Sequence, residues 1–394
     1  MKKLPLLLLI SCFVFTGCGS AANDAVPHIS SGNYTYMMLQ NSDGIDSVLC
    51  RFDIDTGIVT TVCPDPLCRH HSGDCIFSNV SRYYVLNNKI IMPNYSVLNR
   101  SNYDTQVPGM EVLAYDIASG SYDIWYKYDK KYAEMTTNDS IIDDYYYCAY
   151  IGAVDNDDGT KTYDKNIIYR INMGNGKYEV LDSLEYVPSG IYGNRYYYGG
   201  SQGNMILFST DLSGKDRNKI NIGCLISEAF YDHIDDGLIV GVGSGANDSC
   251  VFQIDAGTGN FTKTDAGKSI YDLCIGNEYI YFLCYDDNPE YIGHDAKQGR
   301  DIYNTTGGKI YRVKIGSSDV ELYMNMGSKF SFYHSMKIVD NRIILDYGAF
   351  AEDSYWHTNT WNEMAGGKIV VNTIDGEYNV YERTWNLPTA VIAE

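Results

Sequence analysis

Residues 250–264 read Cys250-Val251-Phe252-Gln253-Ile254-Asp255-Ala256-Gly257-Thr258-Gly259-Asn260-Phe261-Thr262-Lys263-Thr264. Cys250, Phe252 and Ile254 recur with a period of two, the spacing of a strand with a covered face. Gly257-Thr258-Gly259 supplies residues that tolerate positive φ, which a tight hairpin needs. A second strand starts at Phe261. The same strand–turn–strand pattern recurs at 49–62, 112–126, 167–181, 205–220, 310–323 and 369–381. Its turns are Asp55-Thr56-Gly57, Ala118-Ser119-Gly120, Gly174-Asn175-Gly176, Leu212-Ser213-Gly214, Gly316-Ser317-Ser318 and Asp375-Gly376.

Upstream of six of these hairpins lies another, turning at Asn87-Asn88, Asp143-Asp144, Gly193-Asn194, Asp235-Asp236-Gly237, Gly276-Asn277 and Asp340-Asn341. The strand after each turn is aromatic or β-branched, as in Tyr145-Tyr146-Tyr147 and Tyr279-Ile280-Tyr281. Two hairpins make four strands. Four-stranded units repeating every ~40–60 residues predict an all-β protein, a β-propeller of seven blades across residues 27–394. A pair of β-sandwiches or a β-solenoid fits the regular pairing of hairpins less well. The first hairpin of blade 1 is poorly marked. Its innermost strand is either 26–30 or the C-terminal segment 390–394, which would close the ring.

Phe52-Asp53-Ile54-Asp55-Thr56-Gly57 typifies the repeat. In it the chain resembles bacterial lipoprotein β-propellers, distantly those of the TolB type and the low-density-lipoprotein-receptor type. The Trp-Asp signature of WD40 blades and the sialidase Asp-box are absent. The resemblance implies a fold and an envelope location, and no activity.

The N-terminus agrees with that location. Lys2 and Lys3 precede an apolar run, 4–15, too short to span a bilayer but suited to a signal peptide. Phe15-Thr16-Gly17-Cys18 resembles the bacterial lipobox, which implies cleavage after residue 17 and acylation of Cys18, with palmitate among the acyl groups. Residues 1–17 are thus expected as signal peptide, 18–26 as a lipidated tether and 27–394 as the propeller. Multiple acyl chains anchor firmly where one does not. The chain has 394 residues, 45% of them hydrophobic, with 30 Lys+Arg against 50 Asp+Glu and a formal charge of -20. Such acidity excludes a phosphate-binding nucleic-acid face and charge-driven docking on anionic lipid.

Cys63-Pro64-Asp65-Pro66-Leu67-Cys68-Arg69-His70-His71-Ser72-Gly73-Asp74-Cys75 is the sharpest local motif. Three cysteines and a histidine at this density suit a structural zinc held by Cys63, Cys68, Cys75 and one of His70 or His71. A disulfide within the set suits an exported protein equally, and a redox thiol is the third reading. Cys-Pro-x-Pro-x-Cys-x-His stretches are also a feature of the lipoproteins the chain resembles. The remaining cysteines, Cys50, Cys148, Cys224, Cys250, Cys274 and Cys284, lie in or beside apolar strands and read as small buried hydrophobes.

Connections between the second and third strands of a blade share one face of the disc. They are short in blades 4 and 5 and long in blades 6, 7, 2 and 3, which predicts a binding arc. Blade 6 offers Tyr291, His294 and Tyr303; blade 7 offers Tyr355, Trp356, His357 and Trp361; blade 2 adds Tyr95 and Tyr103. Flat aromatic rings suit sugars or peptides, although they also serve to pack the loops themselves. Asp155-Asn156-Asp157-Asp158-Gly159 departs from a calcium loop and reads as a polar tip. There is no Gly-x-Ser-x-Gly elbow, phosphate loop or His-Glu-x-x-His. The expectation is a binding or sensing lipoprotein for glycan or envelope polymer. A scaffold for another envelope protein is the alternative, and a carbohydrate-active enzyme comes third.

Overall fold

The computed structural model describes residues 33–384 apart from 41–45, 72–74, 81–82, 87, 96–109, 128–133, 159, 182–183, 185–186, 189, 200–205, 222–224, 227–232, 236, 245–248, 285–289, 296–299, 305–307, 327–331 and 350–364. Blade 1 contains β1 (Tyr34–Gln40), β2 (Ser47–Asp53) and β3 (Val59–Thr61). Blade 2 contains β4 (Tyr84–Leu86), β5 (Lys89–Tyr95), β6 (Met110–Asp116) and β7 (Tyr122–Lys127). Blade 3 contains β8 (Glu134–Ile142), β9 (Tyr145–Asp155), β10 (Lys161–Asn172) and β11 (Tyr178–Val180). Blade 4 contains β12 (Gly190–Tyr192), β13 (Arg195–Gly199), β14 (Ile206–Asp211) and β15 (Arg217–Asn221). In blade 5, β16 (Leu225–Ile226) and β17 (His233–Asp235) both pair with β18 (Leu238–Ser244), followed by β19 (Ser249–Asp255) and β20 (Phe261–Asp265). Blade 6 contains β21 (Ile270–Ile275), β22 (Tyr279–Cys284), a separate hairpin of β23 (Glu290–Asp295) and β24 (Arg300–Asn304), then β25 (Lys309–Lys314) and β26 (Val320–Asn325). Blade 7 contains β27 (Phe332–Val339), β28 (Arg342–Ala349), β29 (Ala365–Asn372) and β30 (Tyr378–Thr384). The protein is an all-β propeller of seven blades, with no helix among the described residues.

Each blade is an antiparallel meander, so its connections alternate between two faces of the disc. Turns between first and second strands and between third and fourth strands share one, the turn face. Connections between second and third strands, and from one blade to the next, share the other, the loop face. The turn face repeats one hydrogen bond. The residue after the third strand donates its N–H to the carbonyl of the residue just before the second strand. The pairs are Ile117 to Asn88 at 3.0 Å, Met173 to Asp144 at 2.8 Å, Ala256 to Gly237 at 2.7 Å, Ile315 to Glu278 at 2.9 Å and Thr373 to Asn341 at 2.9 Å. In blade 1 the pair is Ile54 to Asn33 at 2.8 Å. Asx turns reinforce the same positions: Oδ1 of Asp53, Asp116, Asn172, Asp255 and Asn372 each accepts an amide two or three residues ahead.

The core consists of seven apolar layers, one at each junction of consecutive sheets. Successive residues of a strand face opposite neighbours. Tyr146 therefore packs toward blade 2 and Tyr147 toward blade 4, both fully buried. Cys50, Cys148, Cys250, Cys274 and Cys284 are buried in these layers, whereas Cys224 lies outside the described residues.

The ring closes where blade 7 meets blade 1. Phe52, Ile54, Val339, Ile344 and Val370 form the layer, and the Phe52 and Tyr381 rings meet edge-on at 5.5 Å. The Tyr381 hydroxyl donates to the carbonyls of Ile54 and Asp55, both at 3.2 Å. Arg342 is ion-paired with Asp55 and donates to Asn33 Oδ1 at 2.7 Å. Deeper in, Ser335, Asp346 and Lys368 stand opposite one another across β27, β28 and β29. Lys368 is buried and paired with Asp346, and its ammonium lies 5.5 Å from the centre of the Phe52 ring. Lys337, also buried, donates to the Tyr36 carbonyl at 3.4 Å.

Two long connections differ from the loops read in the sequence. In blade 3, β9 and β10 continue as a ladder to Asp155 and Lys161, leaving a five-residue tip at 156–160. The tip is held by Thr160, which donates to Asp158 through its amide at 2.9 Å. In blade 6 the insertion folds into β23 and β24. Residues 1–17, the 18–26 tether with Cys18, and both candidate closing segments, 26–30 and 390–394, lie outside the described residues.

Candidate metal centre

After β3 the chain leaves the edge of β2 at Val62, whose amide still bonds the Leu49 carbonyl at 3.0 Å. It returns at 77–79 to the same edge, one stretch nearer the loop face. Leu49 donates to Phe77 O at 2.9 Å, Asn79 donates to Ser47 O at 2.7 Å, and Val48 bridges Ser78. The cysteine motif is therefore an excursion pinned at both ends to one strand, and it sits at the loop face between blades 1 and 2. At its tip Asp65 accepts the Leu67 amide at 2.9 Å, and the Cys68 amide bonds the Asp65 carbonyl at 3.1 Å. This turn, exposed from Pro64 to Leu67, brings Cys68 back beside Cys63.

His70 takes a left-handed φ of 56°, sparsely allowed for a non-glycine residue. It is held there by its amide on Cys68 Sγ at 3.4 Å and by the Ser78 hydroxyl on its carbonyl. Cys75 is anchored from below. It is buried in the layer between blades 1 and 2, next to Phe77, whose ring meets Tyr115 edge-on at 4.8 Å.

The donor atoms of Cys63, Cys68, His70 and Cys75 all lie within 4.8 Å of one another. Nδ1 of His70 is 3.6 Å from Cys75 Sγ. A tetrahedral zinc with ordinary Zn–S and Zn–N bonds separates those two donors by about 3.6 Å. Of the two histidines, only His70 joins the cluster. Nδ1 of His71 lies 3.3 Å from Asp46 Oδ2, while Asp46 Oδ1 accepts from Asn79 at 2.6 Å and Asn79 Oδ1 accepts the Ser47 amide at 2.9 Å. Asp46, Ser78 and Asn79 thus brace the excursion. None carries a local sequence signal, because each acts across a fold contact.

The electrostatics favour a cation. The Cys75 thiol donates to Cys63 and draws its pKa down to about 6. That bond, with burial, pushes Cys75 itself up, and burial pushes up Cys68. Unaided, the loop holds one thiolate readily. Three thiolates this close repel, and a divalent cation removes the repulsion. The Cys3His set can hold a metal such as zinc. None of the eight described cysteines is in a disulfide.

The aromatic arc is described only in part. Tyr291 stands directly opposite Tyr303, and His294 opposite Asp301, in the β23–β24 hairpin. Tyr291, His294 and Tyr303, expected in a loop, belong to strands. Tyr355, Trp356, His357 and Trp361 lie outside the described residues, as does Tyr103, while Tyr95 ends β5. On the turn face, a cavity of about 250 Å³ between blades 7 and 1 is lined by Asp55, Arg342, Asn372, Glu377 and Tyr381 among others.

No protein-family model matches the chain, and no curated protein matches it. Among solved structures, the acylaminoacyl peptidase of Pyrococcus horikoshii is similar over 89% of this chain and 50% of its own, with a TM-score of 0.53 and 10% identity. A puromycin hydrolase mutant is similar over 92% of this chain and 55% of its own, with a TM-score of 0.51 and 10% identity. The β-propeller domain of the Trilobed protease from Pyrococcus furiosus covers 90% of this chain and 94% of its own, with a TM-score of 0.49 and 10% identity. The chain spans about half the length of the first two. At such identity the likeness shows the fold alone.

Proposed function

We propose that the chain is an exported binding module, anchored at the cell envelope through acylated Cys18, whose loop face receives a glycan or another envelope polymer. The observation that supports this is the β23–β24 hairpin. It inserts into blade 6 on the loop face, and its paired strands set Tyr291 opposite Tyr303. Aromatic residues on a paired hairpin offer contact area at low entropic cost. The Cys3His set in this reading is a structural zinc centre. Four protein donors fill a tetrahedron, leaving no open position for substrate.

The test is retention on immobilised polysaccharides and wall fragments by the chain from residue 27 onward. It is compared with a Tyr291→Ala/Tyr303→Ala variant and one shortened within 351–364. Binding that falls at least about tenfold in the variants, with an unchanged melting temperature, supports the reading. No retention by the parent chain overturns the glycan reading. An envelope protein recovered by pull-down, and lost in the same variants, then makes the face a protein-docking surface.

A further inference from the structure

Three thiols and an imidazole in one loop can be closed in two ways, by a metal or by a sulfur–sulfur bond. Taking Cys63, Cys68, His70 and Cys75 as a metal centre, we infer that the set is also a modification site, at which a disulfide-bearing oxidant joins Cys63 to Cys75. The new bond displaces the metal and takes over from it as the clasp of the loop.

The two sulfurs are already partners. The Cys75 thiol donates to Cys63, and the donor atoms of the set all lie within 4.8 Å of one another. Two sulfurs on one tetrahedral zinc stand about 3.8 Å apart, and a disulfide brings them to about 2 Å. Cys63 is the one free to close that gap. The chain beyond it is exposed from Pro64 to Leu67, while Cys75 is fixed in the layer between blades 1 and 2. Exposure also orders the steps. Cys63 and Cys68 are half-buried, whereas Cys75 is 4% exposed. An oxidant therefore meets Cys63 from outside, and its leaving sulfur points outward. Displacement at sulfur is in line, so the second thiolate strikes from the inner side, where Cys75 lies. Cys68 is engaged elsewhere, its Sγ accepting the His70 amide at 3.4 Å. Cys50, fully buried in the same layer, is outside the set and stays a thiol.

The electrons balance. The Cys63 thiolate attacks one sulfur of the oxidant, breaking its S–S bond and releasing the other sulfur as a thiolate. The Cys75 thiolate then attacks the Cys63 sulfur of the mixed disulfide. The Cys63–Cys75 bond forms and the second thiolate of the oxidant leaves. Two electrons pass from the two cysteines to the oxidant, whose two sulfurs take up two protons from water. Cys68 and His70 remain, two donors where a tetrahedral centre needs four, so the metal is given up. The loop nonetheless stays closed, because the new bond spans the same thirteen residues, 63–75. Cys68 is left as a single half-buried thiol beside the exposed tip.

The experiment uses the full chain, reduced and offered zinc, with metal content read by native mass before any oxidant is added. It is then treated with oxidised glutathione in the presence of a strong chelator, beside a chelated sample kept in dithiothreitol. Oxidation is expected to release the one zinc, lower the thiol count of the set by two and give a Cys63–Cys75 bridge on peptide mapping, with Cys68 newly open to alkylation. The oxidised chain should melt well above the chelated reduced chain, and dithiothreitol with zinc should restore the starting form. Cys68→Ser lacks a metal donor but keeps the pair, and it should form the same bridge. Zinc retained under oxidation, a Cys63–Cys68 bridge, no bridge in Cys68→Ser, or an oxidised chain no more stable than the chelated one overturns the exchange. A reduced chain without zinc overturns the metal reading and the exchange with it, whether or not the bridge forms.

Discussion

Asp346 and Lys368 face each other across β28 and β29, and the pair sits at the seam between the last blade and the first. Burial alone would raise the Asp346 carboxyl. The ammonium groups of Lys368 and Lys337, with the Ser335 hydroxyl at 2.8 Å, hold it below the usual range instead. Asp346→Asn leaves two buried lysines without their counter-ion and is expected to cost roughly 3 kcal/mol. Replacing the ion pair by apolar residues, Asp346→Leu with Lys368→Met, is expected to cost less. Urea denaturation of both variants checks the order.

One metal per chain is expected, lost together with the thiol set. Cys75→Ser removes the most deeply buried donor and should abolish binding and lower the melting temperature. His71→Ala should keep full stoichiometry, because His71 is directed to Asp46. Metal analysis by native mass checks both. Strong chelation of the parent chain should reproduce the Cys75→Ser melting curve.

Acid should weaken the turn face. Asp53, Asp116, Asp211 and Asp255 are held below the usual carboxylate range by the amides and hydroxyls of their own turns. Carboxyls with depressed folded pKa values stabilise fully above their unfolded value, near 3.9, and lose that contribution as pH falls through the folded value. Their contribution should be constant from pH 7 to about 5 and fall below about 4. Asn172 and Asn372 occupy equivalent positions in blades 3 and 7 and still accept the turn amides. Asp255→Asn should therefore fold normally and reduce the acid slope, as read by melting against pH.

Two turn glycines with the same φ of +71° should respond differently to alanine. A Cβ on Gly259 meets nothing within 4 Å, so Gly259→Ala should cost about 1 kcal/mol for backbone strain. A Cβ on Gly57 would fall 2.1 Å from the Tyr381 ring. Gly57→Ala should cost distinctly more, and part of the excess should vanish in Gly57→Ala/Tyr381→Ala. A double-mutant cycle on denaturation midpoints measures that coupling.

The blades were legible because each hairpin writes its own turn in adjacent residues: Asp255 through Gly259 specify their geometry without help from elsewhere. The cysteine motif was legible for the same reason, its four donors falling within thirteen positions. Choosing His70 over His71 was not, since it depends on Ser78 and Asp46, brought in by the fold. Nor did Lys337 or Lys368 stand out. A lysine in a strand normally marks solvent, and the Lys337 partner Tyr36 is 301 residues away in sequence. The insertions of blades 3 and 6 read as loops because polar residues broke the apolar alternation, yet strands that leave the sheet need no such alternation to pair.

The seam has a kinetic consequence. Tyr381 and Ile54, joined by one hydrogen bond, are 327 residues apart, and the seam contact of Arg342 with Asp55 still spans 287. Phe52 and Ile54 are synthesised early, but their covering partners Val370 and Tyr381 arrive almost last. Contacts of such sequence separation form slowly. A nascent chain thus carries an open apolar flank on blade 1 until its final hairpin emerges.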